Sequence, residues 1–328
     1  MSAPIIFCHY GNTDYLKYSL QCALLNNPGK NIILLGDTAN RQIALECRVT
    51  HYLFEDLDYG EEIEQFNAVY RLIQGKKHDH KRGGKDWVNF VFKRYFYLYN
   101  YLSKHNVGSF WHFDSDTMIV NSLGQFEPGF AGYDCTEQCN GMCMNGFIAS
   151  SDIVKRYIIK INELFKRESY IAQQQQEFES ANQGFAFTEM RAYQTFKEEE
   201  KIKTVRLNRI VNNFSFDDCL CQEHGMKMEP LPSGHTCKKI YLAGSGQFFF
   251  EPEKAGSKPV QINTLNLSWL PLYVFHIVME HSKHKAETQL EELITLNKTP
   301  TLAQQNFPLL FRLKYLFSRI QTKITKLL

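Results

Sequence analysis

Two acidic residues, separated by one serine, follow an aromatic run near the middle of the sequence. The stretch 110–120 reads FWHFDSDTMIV, so that Asp114 and Asp116 come directly after the apolar residues. Neighbouring carboxylates repel each other and ionised groups are costly to place in apolar surroundings, so this placement calls for an explanation. Three interpretations are open: an acidic turn, the nucleophile pair of a phosphatase, and a clamp for a divalent metal ion.

The residues around the pair favour the metal clamp over the phosphatase. Phosphatases of the haloacid dehalogenase type also carry Asp-x-Asp after a strand, but with Gly and then Thr or Val behind the second Asp. Here Thr117 follows directly, and the motif lies far from the first strand. Alternate residues at a strand end can, however, direct two oxygen ligands to one Mg²⁺ or Mn²⁺. Such an ion would hold a diphosphate and assist its departure as a Lewis acid.

The elements that precede this motif predict a parallel α/β arrangement. PIIFCHY at 4–10 is a buried strand ended by a Gly-Asn turn, and NIILLGD at 31–37 is a second buried strand. Between them, TDYLKYSLQCALLNN has apolar residues at helical spacing until a Pro-Gly pair stops the helix. Strand, helix and strand in this order predict parallel pairing, with ligands bound beyond the carboxyl ends of the strands.

Three later helices and two loop-rich segments are also predicted. The aromatic helix WVNFVFKRYFYLYNYLSKH at 87–105 leads into the strand FWHF, and further helices cover 151–165 and begin at Thr188. The basic segment 75–86 is a loop, either simply solvated or able to close over a diphosphate. The segment 212–250 is rich in loops, and the glutamine-rich AQQQQEF needs no function.

Composition excludes several classes of protein. Of the 328 residues, 44% are apolar and 22% charged, as in an ordinary globular protein, and the net charge of +2 argues against a dedicated nucleic-acid binder. Aromatic residues make up 14%, which indicates either a well-packed interior or rings that face sugars. No secretory leader and no long apolar run is evident. From nine scattered cysteines we expect reduced thiols in a cytoplasmic protein.

Taken together, these blocks resemble the nucleotide-sugar-dependent glycosyltransferases of the GT-A fold. FCHYGNTDYLKYSL is similar to the donor-binding opening of that family, IILLGD to its second strand, and RYFYLYNYLSKHNVGSFWHFDSDTMIV to the helix and strand that carry its Asp-x-Asp signature. The similarity covers roughly residues 4–225 and is closest to bacterial sequences with the blocks CTEQCNGMCMNGF and AFTEMRAY. It implies an α/β fold with a Rossmann-type mixed central sheet flanked by helices. The apolar and helical segments from about residue 263 predict, in addition, a helical C-terminal extension.

The resemblance also implies roles for individual residues. Asp114 and Asp116 would hold Mn²⁺ or Mg²⁺ against the donor diphosphate, and Ser115 would reach the ribose. Arg94 would neutralise phosphate, unless it is only a solvated charge. The residues that would border the nucleoside are His9, Tyr10, Gly11, Asp14 and Asp37. Glycine permits close approach of the backbone to a sugar, and the acceptor-side residues would be Asn140, Gly141, Asn145 and Gly146.

Glu189 matches the position at which inverting members of the fold place a carboxylate base. Such a base must reach the acceptor hydroxyl, and a pKa raised by burial would help it. In a retaining enzyme Glu189 would instead position the acceptor. The alternative without any catalysis is an acid in the first helical turn that favours the helix dipole. The sequence leaves the stereochemistry open.

A late histidine is expected as the third metal ligand, and a zinc site competes for the same segment. His224 is preferred because it lies in a glycine-bounded loop about 35 residues after Glu189. The other candidates are His276, His281 and His284. A zinc site would use the sulfur and nitrogen ligands of Cys219, Cys221, His224, His235 and Cys237. Because both sites need His224, they exclude each other.

The end of the sequence predicts a basic amphipathic helix over 307–328. NFPLLFRLKYLFSRIQTKITKLL contains five Lys and Arg residues and no acid, with apolar residues at helical spacing. Such a helix either lies in a membrane interface or packs on the protein. Flotation with membranes of the full chain and of a chain truncated near residue 300 distinguishes these interpretations.

The sequence thus predicts a metal-assisted glycosyltransferase. It would move a sugar from a nucleoside diphosphate donor to a hydroxyl of a glycan or lipid-linked acceptor, in the cytoplasm or peripherally on the inner face of the membrane. The alternatives are a metal-dependent phosphohydrolase and a non-catalytic, zinc-organised sugar-nucleotide-binding protein. The predicted organisation is a catalytic domain at 1–262, with a donor half at 1–120 and an acceptor half at 121–262, followed by the extension at 263–328.

Overall fold

The computed structural model describes residues 2–78, 84–284 and 298–305. The chain forms two compact units, each made of discontinuous segments. The first unit comprises Met1–Thr13, Gly29–Ser115 and Leu123–Leu207, and the second comprises Asp14–Pro28, Asp116–Ser122 and Asn208–Leu328. The borders of these units do not coincide with the predicted boundaries after residues 120 and 262, because two short early segments belong to the second unit.

The described residues contain fifteen strands and nine α-helices. The strands are β1 (Ile5–Cys8), β2 (Ile32–Gly36), β3 (Thr50–Leu53), β4 (Phe110–Asp114), β5 (Thr117–Ile119), β6 (Cys135–Gln138), β7 (Cys143–Ile148), β8 (Thr204–Arg206), β9 (Phe214–Ser215), β10 (Met228–Pro230), β11 (Thr236–Lys238), β12 (Ile240–Leu242), β13 (Phe248–Phe250), β14 (Val260–Ile262) and β15 (Thr264–Asn266). The helices are α1 (Asp14–Asn26), α2 (Arg41–Cys47), α3 (Glu61–Val69), α4 (Lys85–Lys104), α5 (Glu127–Phe130), α6 (Ser151–Lys166), α7 (Glu168–Ser180), α8 (Glu189–Glu200) and α9 (Leu272–Ser282).

The first unit is built on a seven-stranded mixed sheet. Its strand order is β3-β2-β1-β4-β7-β6-β8. The pairs β1–β2, β1–β4, β2–β3 and β6–β8 are parallel, whereas β7 runs antiparallel to both β4 and β6. The predicted mixed α/β sheet flanked by helices, with β1 and β2 parallel, is therefore confirmed. Since Cys8 is opposite both Leu35 and Asp114, the strands β1, β2 and β4 end at the same edge of the sheet.

Aromatic side chains fill the core of the first unit. Strands β1 and β2 are buried along their whole length, as the apolar runs IIFC and IILLG require when both faces of a sheet are covered. Helix α4 buries eleven side chains, among them Phe92 and Phe96. The ring of Phe165 packs edge-on against both Phe92 and Phe187, with centroids 5.3 and 5.8 Å apart. A densely packed interior thus accounts for much of the high aromatic content.

The second unit combines helices α1 and α9 with short strands. Helix α1 packs against α9 and β5, with the rings of Tyr15 and Phe275 stacked at a centroid distance of 5.1 Å. Strand β5 pairs antiparallel with β15, and further strands form the sheet β12-β13-β14-β9 and the hairpin β10-β11. Five strands, β9 to β13, lie in the segment that was predicted to be loop-rich. Each is only two or three residues long, too short for a pattern of alternating side chains to be recognised.

The C-terminal prediction is only partly covered by the structure. The predicted extension begins with β15 and then α9, whereas the predicted amphipathic helix at 307–328 lies outside the described residues, as does 79–83 of the basic loop. No helix of the described segments has the length and apolar character needed to cross a membrane. The glutamine-rich stretch, for which only a patch was predicted, lies in α7, which buries Ile171, Gln174 and Phe178.

We predict that Gly146→Ala destabilises the first unit. Gly146 has a φ of +95°, and a Cβ atom there would lie 2.3 Å from Thr136 Oγ1 and 2.4 Å from Leu207 Cδ1. Overpacking and a strained backbone together should lower the free energy of unfolding by about 3 kcal/mol. Urea denaturation measures the loss, with Gly108→Ala as the control because a Cβ atom at Gly108 meets nothing within 4 Å. Equal stabilities of the two variants would contradict this account of Gly146.

Candidate active site

A single arginine joins two predicted site carboxylates in the first unit. Arg94 Nη1 donates to Asp114 Oδ1 at 2.5 Å, and Arg94 Nη2 donates to Glu189 Oε1 at 2.9 Å. The side chains of Arg94 and Glu189 are buried, with 9% and 8% exposed, whereas that of Asp114 is 24% exposed. Three residues from α4, β4 and α8 thus form one ion-pair cluster, hereafter the Arg94 cluster.

The position of each member follows from the element that carries it. Asp114 is the last residue of β4 and stands at the sheet edge where β1 also ends. Arg94 lies in the middle of α4, among aromatic neighbours that are buried in the core. Glu189 is the first residue of α8, where the unpaired backbone N–H groups of a helix favour negative charge. The predicted start of this helix at Thr188, its N-cap, is confirmed.

The three charges of the Arg94 cluster shift one another's pKa values. Burial raises the pKa of Glu189, Arg94 lowers it and Asp114 raises it, with a result of about 7. Burial also raises the pKa of Asp114, but Arg94 outweighs this effect and holds the pKa of Asp114 below its ordinary value. Burial opposes the charge of Arg94, yet Asp114 and Glu189 keep its pKa well above the ordinary value. Near neutral pH, therefore, Asp114 stays ionised while Glu189 can exchange a proton.

Asn145, predicted as an acceptor-side residue, completes the cluster from β7. Its Nδ2 donates to Asp114 Oδ2 at 3.1 Å, and the side chain is fully buried. Two buried oxygens of this group, Asn145 Oδ1 and Glu189 Oε2, accept no hydrogen bond from any residue that the structure describes. Buried acceptors without partners are uncommon in folded proteins and suggest a place for a ligand, ion or water.

Two further side chains near the cluster were not singled out in the sequence. Tyr157 of α6 donates its hydroxyl to the carbonyl oxygen of Glu189 at 2.7 Å and so fixes the start of α8. His112 of β4 is fully buried, and its Nδ1 lies 3.0 Å from the carbonyl oxygen of Ile6. Burial lowers the pKa of His112 to about 4, so that it is neutral. In the sequence, Tyr157 and His112 look like ordinary members of an apolar helix and an apolar strand, and no pattern marked them as site residues.

The ends of β1 and β2 are joined by Asp37, one of the predicted nucleoside-binding residues. Its Oδ2 accepts from the Gly11 N–H at 2.6 Å, and its Oδ1 accepts from the Ala39 N–H at 2.9 Å. Gly11 has a φ of +77°, which glycine adopts readily. Both oxygens of Asp37 therefore hold the backbone, which gives this residue a structural role in shaping the edge.

Asn40 supports the same turn and was missed in the sequence. It is fully buried, and its Nδ2 donates to the carbonyl oxygens of His9 and Gly11 at 2.9 and 3.2 Å. A Cβ atom at Gly36 would lie 2.2 Å from Asn40 Oδ1, so the glycine that ends β2 makes room for the amide. The Gly-Asp pair after the second strand was the only signal of this arrangement.

Of the remaining predicted donor residues, His9, Tyr10 and Ser115 lie in the first unit and Asp14 lies in the second. His9 Nδ1 lies 2.7 Å from Ser115 Oγ, and Thr13 Oγ1 lies 3.1 Å from His9 Nε2. Burial lowers the pKa of His9 to about 4, so that the ring is neutral. Tyr10 is half exposed, with its ring 5.3 Å from that of Phe90. Asp14, by contrast, begins α1 and belongs to the second unit.

The predicted acceptor-side pair Asn140-Gly141 forms a left-handed turn between β6 and β7. The φ values of Asn140 and Gly141 are +58° and +80°. Lys197 Nζ donates to the Gly141 carbonyl oxygen at 3.1 Å and to Glu137 Oε1 at 2.9 Å, which ties the turn to α8. Gly146 is explained by packing, since Thr136 and Leu207 occupy the space beside it. The turn is linked to the Arg94 cluster through β7, which carries Asn145, and through Lys197 of α8, the helix that carries Glu189.

Asp116 lies in the second unit, one residue beyond Ser115. Its Oδ2 accepts from Ser268 Oγ at 2.7 Å, and its carbonyl oxygen accepts from the Leu267 N–H at 3.0 Å. Ser268 Oγ also lies 2.6 Å from Asn266 Oδ1. The side chain of Asp116 is therefore fixed by the loop that follows β15.

His224 is held in a buried polar network of the second unit. Its Nδ1 lies 3.3 Å from Lys238 Nζ, and its Nε2 lies 3.6 Å from Asp218 Oδ2. Lys238 Nζ also donates to Asp217 Oδ1 at 2.6 Å. A metal ligand needs a nitrogen lone pair, whereas here an ammonium faces one ring nitrogen and a carboxylate faces the other. Binding of a metal ion by His224 stays a prediction, and it requires that the ion replace Lys238 or Asp218 beside a ring nitrogen.

The predicted zinc ligands form no close set. None of the nine cysteines, all of which lie in the described part of the chain, forms a disulfide. Burial raises the pKa of Cys219 to about 11, which disfavours the thiolate that zinc binds. Within residues 2–78, 84–284 and 298–305, no group of three or more His, Cys, Asp or Glu side chains is arranged to hold a metal ion.

Asp114 of the Asp-x-Asp motif nevertheless has the character of a Mg²⁺ or Mn²⁺ ligand. Mg²⁺ in nucleotide enzymes is usually held by one or two carboxylates together with substrate phosphates, rather than by a cage of protein ligands. Asp114 offers an ionised and partly exposed carboxylate, beside the buried oxygen of Asn145. Asp116 belongs to the second unit, so its part in holding the same ion stays a prediction.

Comparison with known proteins gave similarity at the level of structure only. No protein-family model and no curated protein matches the sequence. Solved structures with a similar backbone include mouse xyloside xylosyltransferase 1 in its apo form, with 9% identity, 65% of this chain and 88% of that chain covered, and a TM-score of 0.42. The PaToxG glycosyltransferase shows 11% identity over 61% and 69% of the two chains, with a TM-score of 0.36. A cytidylyltransferase from Leptospira borgpetersenii shows 12% identity over 63% and 75%, with a TM-score of 0.33. At these TM-scores the similarities say nothing about the chemistry of this chain.

We predict that Glu189→Gln flattens the pH dependence of stability between pH 4.5 and 7. The pKa of Glu189 is raised from 4.5 to about 7, so the folded protein keeps a proton that the unfolded chain releases in this window. The stabilising contribution is complete below pH 4.5 and is lost as the pH rises through 7. The difference amounts to roughly 3 kcal/mol of unfolding free energy.

Chemical denaturation at several pH values measures this effect. Glu168→Gln serves as the control, because it removes a carboxylate from a side chain that is 76% exposed. If Glu189→Gln kept the pH slope of the unsubstituted protein, the raised pKa of Glu189 would be wrong.

Proposed function

We propose that this protein is a metal-assisted glycosyltransferase that transfers a sugar from a nucleoside diphosphate donor to a hydroxyl of a glycan or lipid-linked acceptor. One observation carries the proposal: Arg94 binds, with a single guanidinium group, both Asp114 of the predicted diphosphate motif and the predicted base Glu189. Donor chemistry and acceptor chemistry would then meet at one sheet edge. A cytoplasmic location and peripheral membrane contact through 307–328 remain predictions from the sequence.

Asp114 and Asp116 would hold Mn²⁺ or Mg²⁺ in this enzyme. When bound, the ion would neutralise the diphosphate as a leaving group. The charge of the Arg94 cluster supports this assignment, because one guanidinium faces two carboxylates. With Glu189 ionised the cluster carries a net charge of −1, which favours a cation beside the partly exposed Asp114.

Arg94 itself would act by positioning rather than by binding phosphate. Its side chain is 9% exposed, and its two terminal nitrogens already donate to Asp114 and Glu189. A planar guanidinium holds two carboxylates in a fixed geometry that a lysine cannot reproduce. Of the two sequence-based interpretations of Arg94, neither a free solvated charge nor a direct phosphate ligand suits this arrangement as well as a bridge.

Glu189 would accept the proton of the acceptor hydroxyl. A general base works best when its pKa lies near the operating pH, and that of Glu189 is about 7. Its Oε2 accepts no hydrogen bond from the described residues, which leaves lone pairs for a hydroxyl donor. Because Oε2 is covered in this structure, the acceptor must displace the covering atoms. If the acceptor does not reach Oε2, Glu189 is not the base. It then acts only by holding Arg94, which leaves the positioning role expected of a retaining enzyme.

The first test concerns the donor and the ion. We expect a nucleoside diphosphate sugar to raise the melting temperature only with Mn²⁺ or Mg²⁺ present, since a ligand of the native state at 100 times its Kd stabilises by about 2.7 kcal/mol. The screen would use UDP-glucose, UDP-galactose, UDP-N-acetylglucosamine and GDP-mannose. Asp116→Asn should abolish the shift, whereas the exposed Asp56→Asn should preserve it.

The outcomes of this screen separate the rival functions. A shift without metal would contradict metal assistance, and no shift with any donor would contradict the glycosyltransferase. Release of phosphate from p-nitrophenyl phosphate, without a nucleotide sugar, would instead identify a phosphohydrolase. Stoichiometric zinc in the purified protein, without sugar-nucleotide hydrolysis, would identify the non-catalytic alternative.

The second test concerns Glu189 as base. We expect kcat/KM to rise with pH and level off above about pH 7, because the base must be deprotonated. Glu189→Gln should lower kcat by roughly 10²- to 10⁴-fold and remove the rise, whereas Glu168→Gln should leave both unchanged. A Glu189→Gln variant that is less active but keeps the rise near pH 7 would assign Glu189 a positioning role instead.

A further inference from the structure

We propose that Trp269 is a platform on which the ring of a substrate sugar stacks. The proposal rests on the proposed function, since it places the sugar next to the diphosphate-binding Asp116. Trp269 and Asp116 both belong to the second unit. Nothing in the sequence-based predictions assigned a role to this residue.

The exposure of Trp269 is the first argument. Its side chain is 75% exposed, more than any other large apolar side chain in the described part of the molecule. The other two tryptophans of the sequence are Trp87, which is 44% exposed, and Trp111, which is fully buried. An indole ring gains much from burial, and a ligand that covered this exposed ring would supply that gain.

The backbone of Trp269 is the second argument. Its φ is +71°, in the left-handed region that glycine occupies without strain and a bulky side chain does not. The residue lies inside a turn closed by the Leu270 N–H, which donates to the Leu267 carbonyl oxygen at 3.0 Å. A glycine would fit this turn better, so the strain is maintained for the sake of the indole ring.

The third argument is the rigid connection to Asp116. Ser268, the neighbour of Trp269, donates from Oγ to Asp116 Oδ2 at 2.7 Å, and its N–H donates to Asn266 Oδ1 at 3.1 Å. Leu267 donates its N–H to the Asp116 carbonyl oxygen at 3.0 Å. On the other side, Leu270 is buried and Pro271 caps α9. Both ends of the turn are thus anchored, which holds the backbone of Trp269 one residue from the Ser268 that binds Asp116.

The chemistry of the ligand follows from this position. A pyranose ring has one face of C–H groups, and this weakly polar face packs against the π-face of an aromatic side chain. A sugar that is linked to a diphosphate held at Asp116 lies within a few bonds of that residue, and the acceptor sugar must come next to it. The stacked ring therefore belongs either to the donor or to the acceptor, which share this chemistry.

Tryptophan fluorescence tests the proposal directly. A Trp87→Phe background leaves the buried Trp111 and the exposed Trp269 as the only indoles, and a change in emission on binding that is lost when Trp269→Phe is added reports Trp269. The titrants would be the nucleotide sugars of the screen above, then UDP and GDP alone, then methyl glucoside and methyl galactoside, all with Mn²⁺. A response to a nucleotide sugar but not to the free diphosphate assigns the donor sugar. A response to a methyl glycoside assigns the acceptor.

Substitutions give a second readout. Trp269→Gly should weaken binding of the responding sugar about tenfold, while its melting temperature stays the same or rises because the turn is relieved of strain. Trp269→Phe should retain most of the affinity, since it keeps an aromatic face. Trp87→Ala is the matched control, an exposed tryptophan removed from the first unit, and should bind as the unsubstituted protein does.

Failure of this inference is distinguishable from failure of the proposed function. If the protein transfers sugar and Trp269→Gly binds donor and acceptor unchanged, the platform is wrong and the glycosyltransferase stands. If product forms but no titrant changes the emission, the platform is likewise wrong and the glycosyltransferase stands. If no product forms with any donor and no titrant changes the emission, both are wrong. Unchanged sugar affinity in Trp269→Gly with a lowered melting temperature would show that the ring serves folding only.

Discussion

The geometry of the sheet edge depends on the guanidinium of Arg94. Two carboxylates and a positive charge are placed there with little access to water, and an ion desolvated without a partner would cost several kcal/mol. Arg94 compensates both acids at once, from a helix whose other side chains are fixed in an aromatic core. The same contacts decide which acid is charged. Asp114, closer to the guanidinium and more exposed, is ionised, whereas the pKa of the buried Glu189 lies near neutral pH.

The neighbouring ends of β1 and β2 show how the backbone is prepared around this cluster. Asp37 and Asn40 use their side chains to hold the turn at His9 to Gly11, and glycines at 11 and 36 make the turn and the close approach feasible. The side chains of Asp37 and Asn40 are thus committed to holding main-chain groups, whereas Asn145 Oδ1 and Glu189 Oε2 accept no hydrogen bond from the described residues. A ligand would meet a turn that is already assembled, whereas Glu189 Oε2 becomes accessible only when the atoms that cover it move.

Much of the sheet and part of the site could be predicted from the sequence, for identifiable reasons. Strands β1, β2 and β4 are apolar runs bounded by turn residues, and α4, α6 and α8 carry clear helical patterns. Asp114 was singled out by its type and position after a strand, whereas Arg94, Asn145 and Glu189 were implied by the resemblance to the GT-A glycosyltransferases. That one arginine joins two of these acids could not be predicted, since the partners are 20 and 95 residues away. The structural role of Asp37 could not be predicted either, because Gly11, whose N–H it accepts, is 26 residues away.

Helix α7 lacks a continuous apolar stripe, and strands β9 to β13 are too short to leave a periodic signal.

The interleaving of the two units bears on the order in which the protein can fold. Helix α1 is made early, yet its main packing partner is α9, and the contact between Cys22 and Ser282 spans 260 residues. During synthesis the apolar face of α1 must wait until most of the chain has left the ribosome, and contacts of such long sequence separation form slowly. The second unit is therefore not a C-terminal domain that can be cut away or expressed by itself. A fragment that begins after residue 207 would lack both α1 and β5, and its core would be open on that side.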